Sequence, residues 1–469
     1  MNTIENLPDG VRFLAHLRSE YREFFAADQP LVIARAPGRL DVMGGIADYS
    51  GATVCEMPIA EAAFVALQPR ADDEIRVRTT ADVAVNEVRI KLSDLPMDYE
   101  TARRKLTDDE ANHWAAYVLG AFVVLAIEGG LSLAAGANIL LDSAVPLGKG
   151  VSSSAAIEVA MLRALTTAAG IEVSHYELAG LAQTLENRVV GAPCGLMDQL
   201  TSVFGQAHHL LQIKCQPNGD ITSLAIPNGV RFIGIDSGVR HAVTGASYGD
   251  VRVAAFMGYR IIADHLNLKF EISDSRQVCI DDPIFHGFLC NIPQAKFQTQ
   301  FVSLLPEQMR GDEFLARFAG TTDTVTKVDP NRSYAVRAAT THPIEEEARV
   351  QQFIALLAHP PTHENLMALG ALMYQAHASY SRCGLGSGAT DAVVAAVQNA
   401  SPARGVFGAK ITGGGSGGTV AVLTAGEIGL ATALEIAEAH ARSAEINPYI
   451  FRGSSPGAAS VASVELERL

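Results

Sequence analysis

The sequence predicts an α+β fold with a mixed sheet and two domains. Short runs of β-forming residues alternate with stretches of helical apolar periodicity, and 469 residues are ample for two domains. Apolar residues make up 48% of the chain and charged residues 19%, as in a globular protein. The 51 acidic residues exceed the 36 basic ones, so the formal charge is −15. Such a surface repels nucleic acid and anionic lipid, although a local pocket can still bind a phosphorylated ligand.

Apolar spacing places the helices, and β-rich runs place the strands. We expect helices at residues 12–27, 112–128, 153–169, 176–190, 250–265, 344–358, 362–378 and 427–443. We expect strands at residues 31–34, 64–68, 75–78, 87–91, 137–141 and 420–423. Periodicity weakens over residues 268–335, which we interpret as an insertion or a lid-like excursion. Turn signals around residues 215–228 predict a boundary between an N-terminal domain at 1–215 and a C-terminal domain at 216–469.

The cysteines and the apolar segments indicate a cytoplasmic protein. The six cysteines form no CxxC pair, which favours free thiols in a reducing compartment: Cys55, Cys194, Cys215, Cys279, Cys290 and Cys383. The first residues have neither a basic nor an apolar segment of the kind found in export signals. The longest apolar stretch, Trp114–Ile127, is shorter than the roughly 20 residues that span a bilayer, and it is interpreted as a buried helix.

Three glycine-rich stretches stand out. The first comprises residues 36–39 and continues through residues 43–49; taken alone, it is compatible with a strand followed by a turn. The second, residues 146–156, places Ser152, Ser153 and Ser154 at the start of an alanine-rich helix. Free N–H groups and the positive end of the helix dipole favour an anion there, typically a triphosphate. The alternative is that these serines only cap the helix. The stretch is not a Walker A loop.

The third stretch, residues 410–419, contains a GxGxxG pattern at Gly413, Gly415 and Gly418. In a dinucleotide-binding fingerprint this pattern opens a helix. Here a strand is expected directly after the glycines, at residues 420–423. The pattern therefore does not indicate nicotinamide or flavin binding.

In this order, the three stretches resemble the three motifs of the GHMP small-molecule kinases, and the first also resembles the galactokinase signature. Residues 187–199 resemble the galactokinase segment that carries the catalytic aspartate, and residues 237–241, with Tyr248, resemble a sugar-contact region. Residues 36–51 and 383–387 look like the kinase part of plant arabinokinases. The resemblance implies a two-domain GHMP kinase fold with its active site in the cleft between the domains. It also implies ATP and Mg²⁺ as cofactors and a sugar as substrate.

The resemblance also implies roles for individual residues. Asp198 would be the catalytic base facing the anomeric hydroxyl, with Arg39 beside it. Glu186 and Ser154, or Ser153 one position earlier, would bind Mg²⁺. The remaining matches are Asp48, Gly195 and Tyr248 for the sugar, and Gly148, Gly150, Ser152, Ser153, Ser154, Ala155, Trp114, Gly414 and Gly415 for the nucleotide. Four of these residues have a structural alternative: Glu186 could be a surface residue, Asp198 a helix cap, Tyr248 could pack at a domain seam, and Trp114 could be a core side chain.

The substrate prediction depends on the two residues after Gly44. Galactokinases have Glu-His there, which engages the C6 hydroxymethyl of galactose, whereas this chain has Gly45 and Ile46. A buried hydroxyl without a partner costs roughly 1–3 kcal/mol, so a 6-hydroxyl is disfavoured. L-Arabinopyranose has the ring stereochemistry of galactose without C6. We therefore expect an L-arabinose 1-kinase. A galactokinase with altered C6 recognition and a non-catalytic sugar sensor are the alternatives.

Overall fold

The computed structural model of the chain describes residues 2–131, 135–239, 248–272, 277–400, 402–447 and 449–467. The helices are α1 Pro8–Glu20, α2 Tyr99–Thr107, α3 Ala116–Ile127, α4 Ser153–Ala169, α5 His175–Thr184, α6 Met197–Phe204, α7 Tyr248–His265, α8 Gln294–Lys296, α9 Gly311–Phe318, α10 Val336–Leu357, α11 His363–Arg382, α12 Gly388–Asn399 and α13 Gly426–Ala444. The strands are β1 Asn2–Thr3, β2 Leu31–Met43, β3 Thr53–Pro69, β4 Glu74–Thr79, β5 Glu87–Lys91, β6 Ala137–Ser143, β7 His209–Lys214, β8 Ile221–Ala225, β9 Val230–Asp236, β10 Lys269–Ile272, β11 Val278–Asp281, β12 Met309–Arg310, β13 Ser333–Tyr334, β14 Val406–Ile411, β15 Thr419–Ala425, β16 Ile450–Phe451, β17 Val461–Ala462 and β18 Val464–Leu466.

An eight-stranded mixed sheet organises the first half of the chain. Its strands follow the order β18-β2-β3-β6-β4-β5, and β7 pairs with β3 and carries β8. Only the β4–β6 pair within it is parallel among the described residues. Helices α4 and α6 pack against this sheet, α3 packs on α4, and all three share one apolar core with the sheet. The mixed helix and sheet content confirms the predicted α+β class.

Strand β2 carries the first glycine-rich stretch. A strand was predicted only for residues 31–34, with a turn after it, but β2 continues to Met43. Pairing with β3 shifts register between Pro37 and Arg39 and again between Asp41 and Met43. These bulges accommodate the proline, which cannot donate a ladder hydrogen bond. Arg39 and Asp41 are therefore held on a rigid, buried strand rather than on an exposed turn.

A four-stranded antiparallel sheet with the order β14-β15-β9-β16 organises the second half. Side chains from α12 and α13 form its apolar core together with β9, β14 and β15. The third glycine-rich stretch connects β14 to β15 in a hairpin. The strand predicted after the glycines is confirmed, and a dinucleotide fingerprint, which needs a helix there, is absent from this stretch.

Residues 268–335, predicted to be an insertion, are folded where the structure describes them. They contain the β10–β11 hairpin, α8, α9 and the β12–β13 pair. Five phenylalanines of this segment share one apolar core with α7 and α10: Phe285, Phe297, Phe301, Phe314 and Phe318. The segment is therefore an integral layer of the second half and not a loop that stands away from it.

The two halves interlock at both ends of the second half. Strand β8 pairs with β7, and β18 pairs with β2, so the large sheet includes strands from beyond the boundary expected near residue 215. One helical stretch, Glu110–Ile127, is apolar and long enough to cross a membrane by length and composition alone. More than half of it is buried, as in a core helix, and α3 packs on α4 beneath the sheet.

Candidate active site

The guanidinium of Arg39 lies at the centre of the candidate active site. Arg39 extends from β2 and is only 3% exposed. Its Nε and Nη2 atoms both lie 2.8 Å from Oδ1 of Asp198, and its Nη1 donates to the carbonyl of Gly150 at 2.7 Å. Burial lowers the pKa of Arg39, but the surrounding carboxylates, led by Asp198, outweigh that effect and raise it above its ordinary value. The guanidinium is therefore a permanent cation.

Asp198 is paired with Arg39 but remains partly accessible to solvent. It stands in the first turn of α6, where the helix dipole favours a negative charge. Its side chain is 17% exposed, in contrast to the nearly buried Arg39 that it contacts. A carboxylate that is held by a cation and still open on one side can accept a proton from a group that approaches it.

Asp48, Gly195 and Tyr248, the residues predicted to contact the sugar, lie together. Asp48 belongs to a short 3₁₀ turn, Gly45–Ser50, and its Oδ1 accepts the N–H of Tyr49 at 2.8 Å. The hydroxyl of Tyr248, the first residue of α7, lies 3.4 Å from the same oxygen. A methyl group on Gly195 would come within 1.7 Å of Oδ2 of Asp48. Glycine is therefore required at position 195 for these segments to meet.

The ionisation of Asp48 is finely balanced. Its pKa is raised to about 7, first by burial and then by the negative charge of Asp198. The Tyr49 N–H and the guanidinium groups of Arg252 and Arg39 act in the opposite direction. Near neutral pH, small changes in these neighbours decide whether Asp48 is an acceptor of hydrogen bonds or a protonated acid.

The second glycine-rich stretch forms the turn before α4. Gly148 and Gly150 have φ values of 71° and 69°, and Ser152 itself has φ 56°, a left-handed conformation that costs energy for a residue with a side chain. The Ser152 hydroxyl is buried without a partner and makes no capping bond to α4. Simple capping by Ser152 is therefore excluded. Ser153 and Ser154 open the helix, and Ala155 behind them is fully buried.

Glu186 lies next to this helix start. It stands on a π-helical turn, Leu185–Val190, and is 6% exposed. It accepts hydrogen bonds from the Ser154 hydroxyl and from Nε2 of Gln199, the latter at 2.7 Å. Burial, followed by the charge of Asp198, raises the pKa of Glu186 to about 7. The structure thus brings the two predicted metal ligands, Ser154 and Glu186, into contact.

A second carboxylate, Glu158, shares this pocket, and sequence reasoning missed it. Gln199 Nε2 also donates to Glu158 Oε2 at 3.2 Å, and Oε1 of Glu158 is buried without a partner. Burial and the charge of Glu186 raise the pKa of Glu158 well above its ordinary value. Its position four residues after Ser154 on the same helix face was a usable signal. Within the described residues, no cluster of three or more His, Cys, Asp or Glu side chains is arranged to hold a metal ion by itself.

The third glycine-rich stretch packs against the second. Gly413, Gly415, Gly417 and Gly418 all have positive φ, as does Ser416 between them, which explains why glycine dominates this loop. Thr419 donates to the carbonyl of Lys149 at 2.8 Å, and a methyl group on Gly418 would lie 2.7 Å from that carbonyl oxygen. Gly415 is buried, whereas Gly414 is partly exposed. The two loops therefore touch beside Arg39.

Gly45 and Ile46, the residues predicted to set sugar specificity, are both buried. Ile46 is fully inaccessible and packs in the apolar core that α7 and α10 share. A methyl group on Gly45 would coincide with the hydroxyl of Tyr380, at 1.4 Å. That hydroxyl donates towards Asp41 at 3.2 Å and the Gly413 carbonyl at 3.1 Å, and it accepts the Ile46 N–H at 2.9 Å. Tyr380 was not predicted as a site residue.

A buried ion pair joins the two halves behind the site. Lys410 Nζ lies 2.6 Å from Oδ2 of Asp41, and both side chains are completely buried. The same oxygen accepts the N–H of Gly413 at 3.3 Å, so the pair fixes one end of the glycine-rich loop. Glu56, also fully buried, lies 3.3 Å from Nε of Arg39. Nothing in the local sequence pattern singled out these residues.

Trp114 lies apart from this group of residues. Its indole N–H donates to the carbonyl of Val85 at 2.9 Å, and its ring packs against the core of the large sheet. That arrangement satisfies a structural role, and its predicted contact with the nucleotide stays a prediction. Arg240 and His241, part of the predicted sugar-contact region, lie outside the described residues.

Comparison with known families agrees with this geometry. The model named GHMP kinases N terminal domain matches residues 116–206, which include α4 and Asp198. The model named Galactokinase galactose-binding signature matches residues 19–69, which include Arg39 and Asp48. The chain belongs to the GHMP kinase family. Within that family it is a member of the galactokinase-like branch.

Relatives and solved structures give the same grouping. The chain is 40% identical to an L-arabinokinase of Arabidopsis thaliana over 95% of its own length and 47% of that protein, so it spans about half of this relative. It is 28% identical to a galactokinase of Streptomyces coelicolor, with 86% and 87% of the two chains covered. A crystal structure of Lactococcus lactis galactokinase complexed with galactose superimposes with a TM-score of 0.75 at 18% identity, covering 97% of this chain and all of that one. The last likeness establishes the fold.

Proposed function

We propose that the protein is an ATP-dependent sugar 1-kinase that converts L-arabinose to L-arabinose 1-phosphate in the cytoplasm. The observation that carries this proposal is the pairing of Asp198 with Arg39 at 2.8 Å. This pair lies between the turn that opens α4, on one side, and Asp48, on the other. One place thus holds the four groups that the reaction needs: Asp198 as the base, Arg39 as a permanent cation, the start of α4 for an anion, and Asp48 as the acceptor on the sugar side.

Asp198 would act as the base. It accepts the proton of the anomeric hydroxyl while that oxygen attacks the γ-phosphorus of ATP, and the bond from the γ-phosphorus to the bridging oxygen of ADP breaks. Arg39 holds the carboxylate of Asp198 in place before the reaction and stabilises the negative charge on the transferred group during it. The partial exposure of Asp198 is consistent with a base that must meet a substrate hydroxyl.

The turn before α4 would hold the phosphates of ATP. Ser152 leaves the helix N–H groups uncapped, and Gly148 and Gly150 allow the backbone to approach an anion closely. The loop from Gly413 to Gly418 covers this turn. Gly414, the partly exposed glycine of this loop, would lie nearest to the ligand.

The residues near Glu186 fit a magnesium ion. Mg²⁺ prefers hard oxygen ligands, usually one or two carboxylates together with substrate phosphates and water. Glu186 and the Ser154 hydroxyl supply such oxygens, and they already contact each other at the helix start. Ser154 and Glu186 would hold the ion, which when bound neutralises phosphate charge. Gln199 orients Glu186 by donating to it.

Asp48 would accept hydrogen bonds from the O3 and O4 hydroxyls of the sugar, with Gly195 and Tyr248 beside it. The choice of L-arabinose over galactose rests on Gly45 and Ile46, which offer no polar side chain to a C6 hydroxymethyl group. Tyr380 fills the volume next to Gly45, which leaves no room there for a longer residue or ligand group. The 40% identity to a protein named L-arabinokinase supports the same choice.

The test is ATP turnover with Mg²⁺ against L-arabinose, D-galactose, D-galacturonate and D-fucose, with phosphorus NMR to locate the phosphate. The expected result is an anomeric phosphate formed fastest from L-arabinose. Faster turnover of D-galactose would retain the sugar kinase and refute the choice of substrate. ATP binding without turnover of any sugar would favour a sugar sensor instead.

A further inference from the structure

A second guanidinium, that of Arg252, lies behind the sugar-binding residues. Arg252 extends from α7 and is 6% exposed. Its Nε and Nη2 donate to both carboxylate oxygens of Asp323, at 2.8 and 2.7 Å. Its carbon Cζ lies 5.5 Å from the ring centre of Tyr49, the neighbour of Asp48. A bidentate pair of this kind fixes the plane of the guanidinium.

The remaining nitrogen of Arg252 reaches across to the other half of the molecule. Nη1 donates to the carbonyl of Cys194 at 3.1 Å. The side-chain amides of Asn187 and Gln183 donate to the same carbonyl over longer distances, 3.4 and 3.5 Å. A trans peptide group points its N–H away from its C=O, so the contact from Arg252, the shortest of these, helps to fix the direction of the Gly195 N–H. In the described part of the chain, no acceptor takes that N–H. Gly195 is the residue that packs against the carboxylate of Asp48.

Asp323 belongs to the segment that weak periodicity marked as an insertion. The backbone N–H groups of Val325 and Thr326 donate to its carboxylate at 3.2 Å, so the loop itself orients the acid. Asp323 is 8% exposed. The carboxylate keeps a lowered pKa although burial opposes this, because Arg252 donates to it.

We propose that Asp323 and Arg252 are positioning residues for sugar binding, through which residues 268–335 hold the Cys194–Gly195 peptide in the orientation that the sugar requires. The chain of contacts runs from Asp323 to Arg252, from Arg252 to the Cys194 carbonyl, and from the same peptide to Gly195 beside Asp48. This inference rests on the proposed sugar kinase activity. It assigns to residues 268–335 a role in recognising the sugar rather than the nucleotide.

The test compares Arg252→Lys and Asp323→Asn with the unchanged protein. Lysine at position 252 keeps the positive charge but cannot donate the two parallel hydrogen bonds of a guanidinium. Asparagine at position 323 keeps the shape of the side chain but only one of its two acceptor oxygens. We expect the KM for the sugar to rise about tenfold in each variant, the size of effect of one hydrogen bond, with the KM for ATP within about twofold. Calorimetric titration of L-arabinose in the absence of ATP should show the same loss of affinity.

The chain offers a matched control pair in the same segment. Arg310 donates to both oxygens of Asp312 in the same bidentate manner, but both side chains are more than half exposed. Arg310→Lys and Asp312→Asn should leave both KM values unchanged. Two outcomes would overturn the positioning role. One is a KM for ATP that rises as much as the KM for the sugar in the Arg252 and Asp323 variants; the other is a KM for the sugar that does not rise in these variants. Absence of turnover and of sugar binding in the unchanged protein would instead refute the proposed function itself.

Discussion

The hydroxyl of Tyr380 occupies the position that a side chain at Gly45 would need, 1.4 Å from an added Cβ. The same hydroxyl accepts the Ile46 N–H and donates towards Asp41. The absence of a side chain at position 45 and the presence of a tyrosine at position 380 are therefore one structural feature. Any attempt to change sugar preference at Gly45 has to change Tyr380 as well.

The first prediction concerns that preference. Gly45→Glu with Ile46→His should not fold correctly alone, because the new Cβ would overlap Tyr380. Combined with Tyr380→Ala, the pair should lower the L-arabinose-to-galactose ratio of kcat/KM by about 10–200-fold, since it restores partners for a C6 hydroxyl. Steady-state kinetics with both sugars measure the ratio, and Tyr380→Ala alone is the control. An unaltered ratio would disprove the C6 explanation.

The second prediction concerns the base. Asp198→Asn keeps the shape of the side chain but removes its ability to accept a proton. The value of kcat should fall by at least about 10²–10⁴-fold, while the dissociation constant of the sugar changes only several-fold. Asp329→Asn, at an exposed carboxylate, is the control and should be fully active. An unchanged kcat in the Asp198 variant would remove this assignment.

The third prediction concerns magnesium. Glu186→Gln retains the contact with Gln199 but replaces a charged ligand by a neutral one. The Mg²⁺ concentration for half-maximal activity should rise by about 10-fold or more. Glu435→Gln, at an exposed carboxylate, should not change it. A Mg²⁺ titration that superimposes on that of the unchanged protein would point to another ligand, with Glu158 the first to examine.

The fourth prediction follows from the raised pKa of Asp48, about 7. The ionised form accepts hydrogen bonds from sugar hydroxyls, so sugar affinity should weaken as pH falls through about 7. The native protein binds this proton more tightly than the unfolded chain. The stability contributed by Asp48 is therefore present below about pH 4 and is lost as pH rises to about 7. Calorimetric sugar titrations and urea unfolding at several pH values measure both trends, which should flatten in Asp48→Asn.

The fifth prediction concerns the buried pair of Lys410 and Asp41. Lys410→Met leaves an unpaired carboxylate in a site with no solvent access, which should cost about 3–5 kcal/mol of unfolding free energy. Adding Asp41→Asn should recover much of that loss, because the uncompensated charge is then gone. Denaturant unfolding of the two variants gives the values. Equal stabilities of the single and double variants would contradict this explanation.

Most of the long helices could be predicted from the sequence, but only six of the eighteen described strands. The predicted helix at 153–169 coincides with α4, and the predicted strand at 87–91 coincides with β5. Other boundaries were wrong: α1 ends at Glu20 rather than at residue 27, and β3 begins at Thr53 rather than at residue 64. Two further errors share one reason, the presence of a proline. Pro37 lies at a bulge inside β2, and Pro343 lies inside α10, which begins at Val336 rather than near residue 344. Packing on both sides kept each element continuous through its proline.

Residues of the candidate site could be predicted only where they belong to a recognisable sequence motif. Asp198, Arg39, Asp48 and Glu186 stand in recognisable segments, and the structure brings them together. Tyr380 and Lys410 were missed because their partners Ile46 and Asp41 lie 334 and 369 positions away. Contacts of that separation leave no periodicity or spacing in the chain. Arg252 was missed for a similar reason, since its acid lies 71 positions further on, in a segment without a clear pattern.

Strand β18 has a consequence for the order in which the molecule can be made. Residues Val464–Leu466 pair with Leu31–Ile33 of β2, so this edge of β2 is completed only after the roughly 430 residues between the two strands have been synthesised. The guanidinium of Arg35 on the same strand binds Ser455 and the Pro456 carbonyl. Until those residues emerge, β2 is an open edge that can pair with other chains. We therefore expect β2 to need protection from pairing with other chains, for example by chaperones, until β18 has been synthesised.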